Sequence, residues 1–258
     1  LRGYLKNRLK KNLQANTTYC VKFYGNICNT SPRGIDGFQI CFGDNSLDTI
    51  TKCNVPLTYI NPQVKNPLGN VISDTLNWVL ITGTFVANGT EKYALIGNFL
   101  SNNATSTASI NTPYFPAYWT DLLIDDVSCI ATDLPAFAGN DTVCVPGTSV
   151  YIGRPRDVGI DEACTWFQLP NTTSVIATAA GLWVSPVTTS TYIVRQEICG
   201  NIKWDTVVVK EEPLGLKSLN REDGDLTVFP TPANDALHLK LVNRSTPFEN
   251  YTIYDQLG

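Results

Sequence analysis

The chain contains a single histidine, His238, which restricts the acid–base chemistry that it can perform. Nucleophilic catalysis by serine or cysteine needs a neighbouring general base, and that base is usually histidine. His238 lies within DALHLKL, where Leu237, Leu239 and Leu241 alternate with polar residues as on a half-buried strand. We therefore predict that His238 faces solvent. Because G-x-S-x-G, H-E-x-x-H and phosphate-loop motifs are also missing from the sequence, we predict that the chain is not an enzyme.

The best carboxylate cluster is the adjacent pair Asp125 and Asp126. Neighbours on a strand point to opposite faces, so the two carboxylates cannot act together on one glycosidic bond. One of them could join backbone carbonyls around Ca²⁺, which prefers oxygen ligands. The alternative is that both are surface carboxylates beside an edge or turn. A structural calcium ion is the only cofactor that the sequence suggests.

An aromatic cluster stands in the proline-interrupted stretch TPYFPAYWTD, residues 112–121. Binding of a saccharide needs exposed aromatic rings beside amide and carboxylate groups. The stretch is therefore a candidate ligand or protein contact, and the alternative is that its rings cover one end of the domain. The candidate residues are Tyr114, Phe115, Tyr118 and Trp119.

Eight cysteines are spread along the chain without a C-x-x-C pair. With one histidine available, zinc binding is not expected, and disulfides formed in an oxidising compartment are the better interpretation. Cys41 and Cys53 are one candidate pair, because their separation suits a hairpin. The eight are Cys20, Cys28, Cys41, Cys53, Cys129, Cys144, Cys164 and Cys199.

The elements that position these residues are predicted to be strands throughout. Strand-favouring and turn-forming residues are abundant, and no segment has a sustained apolar period of 3.6 residues, so we predict an all-β chain of tandem β-sandwiches. Residues 1–131 are predicted to form a jelly roll. Its strand patterns cover residues 18–28, 35–43, 78–89, 91–99 and 121–129.

Residues 132–212 are predicted to form an immunoglobulin-like sandwich, which begins with a linker or first edge strand. In such a sandwich the start of the third strand lies beside the end of the sixth, which predicts a Cys164–Cys199 disulfide worth roughly 3 to 4 kcal/mol. Trp166, Trp78 and Trp204 are predicted to be core residues. The strand patterns cover residues 148–153, 164–170, 181–186, 190–199 and 203–211.

The rest of the chain is a polar linker, 213–225, followed by a β-segment, 226–258, that stops before a sandwich is complete. Since the chain also begins at Leu1, we interpret it as an internal or processed part of a longer protein. The net charge of -4 and the lack of a basic block argue against nucleic-acid binding. No apolar run approaches the roughly 18 residues of a membrane helix.

The stretches VFPTPANDALHL and YTIYDQLG resemble the opening of the C-terminal sorting domain of bacterial type IX secretion cargo. Thr231 replaces the usual asparagine, and the later strands of that domain are missing. The resemblance implies a secreted or cell-surface protein whose export segment is bound by a translocon. The matching residues are Val228, Phe229, Pro230, Pro232, Ala233, Asn234, Ile253, Tyr254, Asp255 and Gly258.

Two further resemblances agree with secretion. Residues 132–212 resemble the Ig-like or PKD-like repeats of such proteins, through AGNDTVC and CGNIKWDTVVV. Residues 1–131 resemble carbohydrate-binding-like jelly rolls, through TYCVKFYGN and EKYALIGNF, and such domains often carry a calcium ion near the strand that holds Asp125 and Asp126. Four Asp-Thr tripeptides also resemble the O-glycosylation motif of bacteria with this secretion route. They would be modified at Thr49, Thr75, Thr142 and Thr206.

These observations favour a non-catalytic binding or adhesion region of a secreted surface protein, in which the jelly roll binds a glycan or a neighbouring protein and the Ig-like domain is a stiff spacer. One alternative is a structural subunit that self-assembles into an extracellular fibre or matrix, head to tail or by strand addition. Another is the accessory tail of a secreted enzyme whose catalytic domain lies upstream.

Overall fold

A computed structural model describes residues 2–50, 55–110, 119–211, 225–229 and 238–242 of the chain. The chain divides into two units, Leu1–Glu211 and Glu212–Gly258. The all-β prediction is confirmed, because the described residues form strands and only one short helix, α1 (Val158–Asp161). The first unit contains two β-sandwiches, each with its own hydrophobic core.

The first sandwich packs a four-stranded sheet against a three-stranded one. Its strands are β1 (Tyr4–Arg8), β2 (Thr18–Ile27), β3 (Arg33–Ile35), β4 (Gln39–Gly43), β5 (Val64–Lys65), β6 (Val79–Val86), β7 (Tyr93–Gly97), β8 (Thr107–Ser109) and β9 (Leu122–Ala131). The sheet orders are β1-β7-β4-β5 and β6-β2-β9, with β3 and β8 forming a separate antiparallel pair. The chain passes between the two sheets from β1 to β2, from β5 to β6 and from β6 to β7, as in a jelly roll, whereas β4 and β5 pair within one sheet.

Strand alternation explains which side chains form the first core. On β2, Tyr19, Val21 and Phe23 face inward and are buried, as the sequence pattern predicts. Gly25 follows on the same face, where a Cβ atom would lie 2.6 Å from the Phe38 ring. A larger residue at position 25 would therefore displace Phe38, which is itself fully buried.

A buried carboxylate, Asp36, ties two loops of this sandwich together. One carboxylate oxygen accepts from the backbone N–H of Gly69 at 2.8 Å, and the other accepts from that of Ser106 at 3.0 Å. The side chain is almost fully buried, so water cannot replace it as the acceptor.

Replacing Asp36 by alanine is therefore expected to lower the free energy of unfolding by about 2 to 4 kcal/mol, since it removes a buried carboxylate that accepts two part-buried, charge-assisted hydrogen bonds. Urea denaturation followed by circular dichroism measures the loss. Asp44→Ala is the matched control, because the Asp44 carboxylate is exposed and accepts from one backbone N–H, that of Ser46. Equal losses for the two variants would contradict the assignment.

The second sandwich has the strand order of an immunoglobulin-like domain. Its strands are β10 (Thr142–Cys144), β11 (Val150–Gly153), β12 (Cys164–Gln168), β13 (Gly181–Val184), β14 (Ser190–Ile198) and β15 (Asn201–Glu211). One sheet has the order β10-β15-β14-β12, with β10 parallel to β15, and β11 and β13 form the other. Trp166 is fully buried between these sheets, as predicted.

The segment that joins the two sandwiches is ordered by hydrogen bonds rather than being an open linker. The backbone N–H of Thr132 donates to Thr18 in the first sandwich. The Leu134 carbonyl accepts from the side chains of Gln196 and Lys203 in the second sandwich. Further along, the N–H of Ala138 donates to a carboxylate oxygen of Asp205 at 2.8 Å.

The second unit contains an antiparallel pair, β16 (Asp225–Phe229) and β17 (His238–Val242). The exposed position of His238 agrees with the predicted solvent-facing side chain. Of the residues that carry the sorting-domain resemblance, Val228 and Phe229 lie at the end of β16. The others lie outside the described residues, namely Pro230, Pro232, Ala233, Asn234, Ile253, Tyr254, Asp255 and Gly258.

Candidate functional site

A disulfide joins the two sandwiches, but it does not join the cysteines that the sequence predicted. Cys199 is bonded to Cys20 of β2, with their Cα atoms 5.8 Å apart, and Cys164 is a free thiol. The predicted Cys164–Cys199 bond is therefore wrong. Cys164 lies opposite Gln196, three residues before Cys199, which places the two Cα atoms about 10 Å apart along the strand. A disulfide requires less than about 7 Å.

Four of the five free thiols among the described residues fall into two chemical classes. Burial raises the pKa of Cys41 and Cys164 to about 11 each and that of Cys129 to about 12, so these sulfurs stay protonated at neutral pH. The hydrogen bond with Thr30 instead lowers the pKa of the Cys28 thiol. Cys53, the candidate partner of Cys41, lies outside the described residues.

The outer face of the three-stranded sheet carries aromatic and aliphatic side chains in contact with solvent. Because Tyr19, Val21 and Phe23 face the core, Lys22, Tyr24 and Asn26 of β2 face outward. Register places Tyr24 between Leu80 of β6 and Asp125 of β9, and it places Asn26 beside Leu123. Trp78 directly precedes β6 and has the same outward parity as Leu80.

Exposure and polarity make this face suitable for a ligand. Trp78 is 44% exposed, Leu80 45% and Leu123 41%, although each is a large apolar side chain. The Asn26 side chain, which lies beside Leu123 on the neighbouring strand, is 97% buried. Its Oδ1 has no hydrogen-bond partner within the described part of the chain. A buried acceptor without a donor is unfavourable by about 1 to 3 kcal/mol. Because this oxygen is shielded from solvent, the exposed Asp125 carboxylate is the polar group on this face that a ligand hydroxyl could contact.

The main sheet of the second sandwich has an aromatic outer face of its own. Val207 and Val209 of β15 face the core, so Trp204 faces outward and is 50% exposed. The Trp204 ring lies 6.2 Å from the Phe167 ring, and the Arg195 guanidinium lies 6.0 Å from its centroid. Arg195 also forms a 2.5 Å salt bridge with Glu197 on the same strand, which fixes the guanidinium.

The two outer faces meet at a polar cleft beside the disulfide. The cleft has a volume of about 220 Å³. Lys22 lines it from the first sandwich, and Cys199 lines it where the two sandwiches are joined. Its other lining residues belong to the second sandwich and are Glu162, Ala163, Thr165, Arg195, Glu197 and Gly200.

A larger cavity, about 800 Å³, lies over the outer face of the four-stranded sheet. It is lined mainly by apolar side chains, including Leu47, Ile50 and Leu57, with the Cys41 thiol among them. Thr49 also lines it. Its lining residues Ile50 and Val55 flank residues 51–54 in the sequence, which lie outside the described part of the chain, so we assign no site to it.

Comparison with protein-family models gave no match. Comparison with curated proteins gave none either. The interpretation of the site therefore depends on the chemistry of its residues.

The aromatic loop proposed from sequence is described only in part. Trp119 is 41% exposed, whereas Tyr114, Phe115 and Tyr118 lie outside the described residues. The predicted core positions of Trp78 and Trp204 are wrong. Each tryptophan precedes a buried residue of its strand, Ile81 or Val207, by three positions, so its ring lies on the opposite, outer face of the sheet. The alternation of side chains along the sequence could therefore have predicted both outward positions.

The two acidic residues of the calcium prediction occupy an irregular part of β9. The register of β9 against β2 shifts between Lys22 and Tyr24, and Asp126 adopts a φ of 47°. Both carboxylates are exposed, and the N–H of Asp126 donates to the Asp125 carboxylate. Among the described residues, no group of three His, Cys, Asp or Glu side chains could hold a metal ion.

The four candidate O-glycosylation threonines differ in accessibility. Thr49 and Thr206 are exposed, and Thr75 and Thr142 are half-buried. Thr206 lies on the outer face of the second sandwich, opposite Ile193. Within the described ranges, no helix has the length and apolar character needed to cross a membrane.

Proposed function

We propose that the chain is a non-catalytic extracellular binding or adhesion region of a secreted, multi-domain surface protein, and that the outer face of β6-β2-β9 binds a saccharide. The observation that carries the proposal is the pair of exposed side chains Trp78 and Leu80, with the half-buried Tyr24 ring between Leu80 and the exposed Asp125 carboxylate. Aromatic faces accept the apolar faces of sugar rings, while amide and carboxylate groups bind hydroxyls.

Two features support the extracellular location. The Cys20–Cys199 disulfide is stable in an oxidising compartment, outside the cytosol. The resemblance of residues 226–258 to the type IX sorting domain suggests the export route, with a translocon as the partner. A structural calcium ion at Asp125 or Asp126 remains part of the proposal, with backbone carbonyls completing its ligands.

The strand edges give less support to the alternative that the chain self-assembles into an extracellular fibre by strand addition. β1 is an edge strand paired only with β7. It carries Lys6 and Arg8, and charged side chains of this kind protect an edge against pairing with another chain. Electron microscopy of the purified chain separates the two functions, because continuous filaments would favour the fibre and discrete particles the binding region.

Replacing Trp78 by alanine is expected to weaken saccharide binding about tenfold, which corresponds to a lost contact of about 1.4 kcal/mol. The strongest ligand of the unmodified chain on a glycan array is the probe, and calorimetry gives the dissociation constants. Trp183→Ala is the matched control, because Trp183 is 68% exposed but lies on the β11-β13 sheet. A blank array, or equal losses for both variants, would count against the proposal.

A further inference from the structure

We propose that the saccharide site continues past the disulfide onto the second sandwich, so that one extended neutral saccharide chain contacts both sandwiches. The inference rests on the proposed function, since it assumes a saccharide on the outer face of β6-β2-β9. It assigns a binding role to the immunoglobulin-like domain, for which the sequence indicated only a spacer.

Continuity of the two faces is the first argument. Outward residues two apart on a strand are about 7 Å apart, so the Lys22 position lies one row beyond Tyr24. Lys22 lines the cleft that Arg195 and Glu197 line from the other sandwich. A chain that leaves the Trp78–Tyr24 surface along β2 therefore enters the cleft without turning away from the protein.

The far side of the cleft has the properties of a second aromatic contact. Trp204 lies directly opposite Arg195 on neighbouring strands. The Phe167 ring, 6.2 Å away on the same face, is buried although it lies outside the core cluster, so Trp204 has an aromatic neighbour and is half open to solvent. A ring held in this way can bind a sugar face without losing much conformational freedom.

The charge of the cleft specifies a neutral occupant. Lys22 and Arg195 contribute two cations, and Glu162 and Glu197 contribute two carboxylates, so the lining is balanced. Hydroxyl groups can donate to the carboxylates and accept from the cations at once. A uronic or sulfated chain would instead bring an unpaired charge against Glu162 and Glu197.

The disulfide holds the two faces in this arrangement. Cys20 is on the outer face of β2 itself, one row beyond Lys22, and its bond to Cys199 fixes the β14–β15 turn against that face. The surrounding contact is a small cluster of buried side chains: Cys20, Ala163 and Ile198, with Ile130 and Leu134 packed against it. Without the bond, this cluster, the contact of α1 with β9 and the hydrogen-bonded joining segment would have to maintain the cleft.

The test is a length series of neutral oligosaccharides of the type that binds best on the array, measured by calorimetry with the full chain. Trp204→Ala is expected to weaken the longest oligosaccharide about tenfold and to leave the shortest unchanged. Arg195→Gln is a second variant that removes the cation over the ring, and a similar length-dependent loss is expected. Circular dichroism confirms that both variants are folded.

The outcomes separate this inference from the function on which it rests. If Trp78→Ala weakens all lengths and Trp204→Ala weakens none, the second sandwich takes no part and the inference is overturned, while the proposed function stands. If neither variant changes binding, the proposed function itself fails. Reduction of the disulfide with a soluble dithiol is expected to make long oligosaccharides bind no more tightly than short ones. If long oligosaccharides still bind more tightly after reduction, the inference is also overturned.

Discussion

Trp166→Ala is expected to lower the free energy of unfolding of the second sandwich by about 3 to 5 kcal/mol. The Trp166 ring is fully buried, and its indole N–H donates to the Ala179 carbonyl at 2.8 Å. The substitution leaves a cavity between the two sheets and removes the donor from a carbonyl beside β13. Gly153 packs so closely that a Cβ atom there would lie 2.7 Å from the indole ring, so little backbone can move into the gap.

Chemical denaturation followed by circular dichroism measures this loss, and the chain offers its own control. Trp204 belongs to the same sandwich but is half exposed, so Trp204→Ala is expected to lower the stability by about 1 kcal/mol or less. The comparison removes any general effect of losing an indole ring. Similar losses for the two variants would show that Trp166 is not the centre of this core.

The second large effect concerns the bond between the sandwiches. The double variant Cys20→Ser, Cys199→Ser is expected to lose about 2 to 5 kcal/mol of stability, because the disulfide closes a loop with a sequence separation of 179 residues. The two sandwiches are also expected to unfold in separate transitions, since their cores are distinct clusters.

Guanidinium unfolding of the oxidised chain and of the double variant, followed by tryptophan fluorescence, tests both expectations. Cys28→Ser is the control, because Cys28 is a half-exposed free thiol and should leave the transition unchanged. Peptide mapping without reductant should recover residues 20 and 199 in one linked product. A product that links Cys164 to Cys199 would contradict this pairing.

Local patterns in the sequence predicted the strands well, because alternation and turn residues act within a few positions. Every predicted strand pattern in residues 1–211 overlaps a strand of the structure over most of its length, although β9 ends two residues later and β15 begins two residues earlier than predicted. The strands β1, β5, β8 and β10 were missed, and so was β3 except for Ile35. Each is short or polar, and each is stabilised by a partner that is distant in the sequence, as Tyr4 is by Gly97.

The disulfide and the proposed saccharide-binding face could not be predicted in the same way. Cys20 approaches Cys199 only because the second sandwich packs on the outer face of the first, and no local pattern encodes that contact. The outward positions of Trp78 and Trp204 followed from alternation, but their size favoured a core assignment. The buried Oδ1 of Asn26 depends on neighbours from β6 and β9 that only the sheet brings together.

The Cys20–Cys199 bond also changes how tension would travel through an adhesive protein. A pulling force that enters along β2 at residue 20 passes through the sulfur atoms and leaves at residue 199. Most of both sandwiches therefore lies in a closed ring outside the loaded path. About 600 Å of extended chain would be released only after the bond is cut, since each residue spans about 3.4 Å when stretched. An anchored protein built in this way would resist stretching as long as its surroundings stay oxidising.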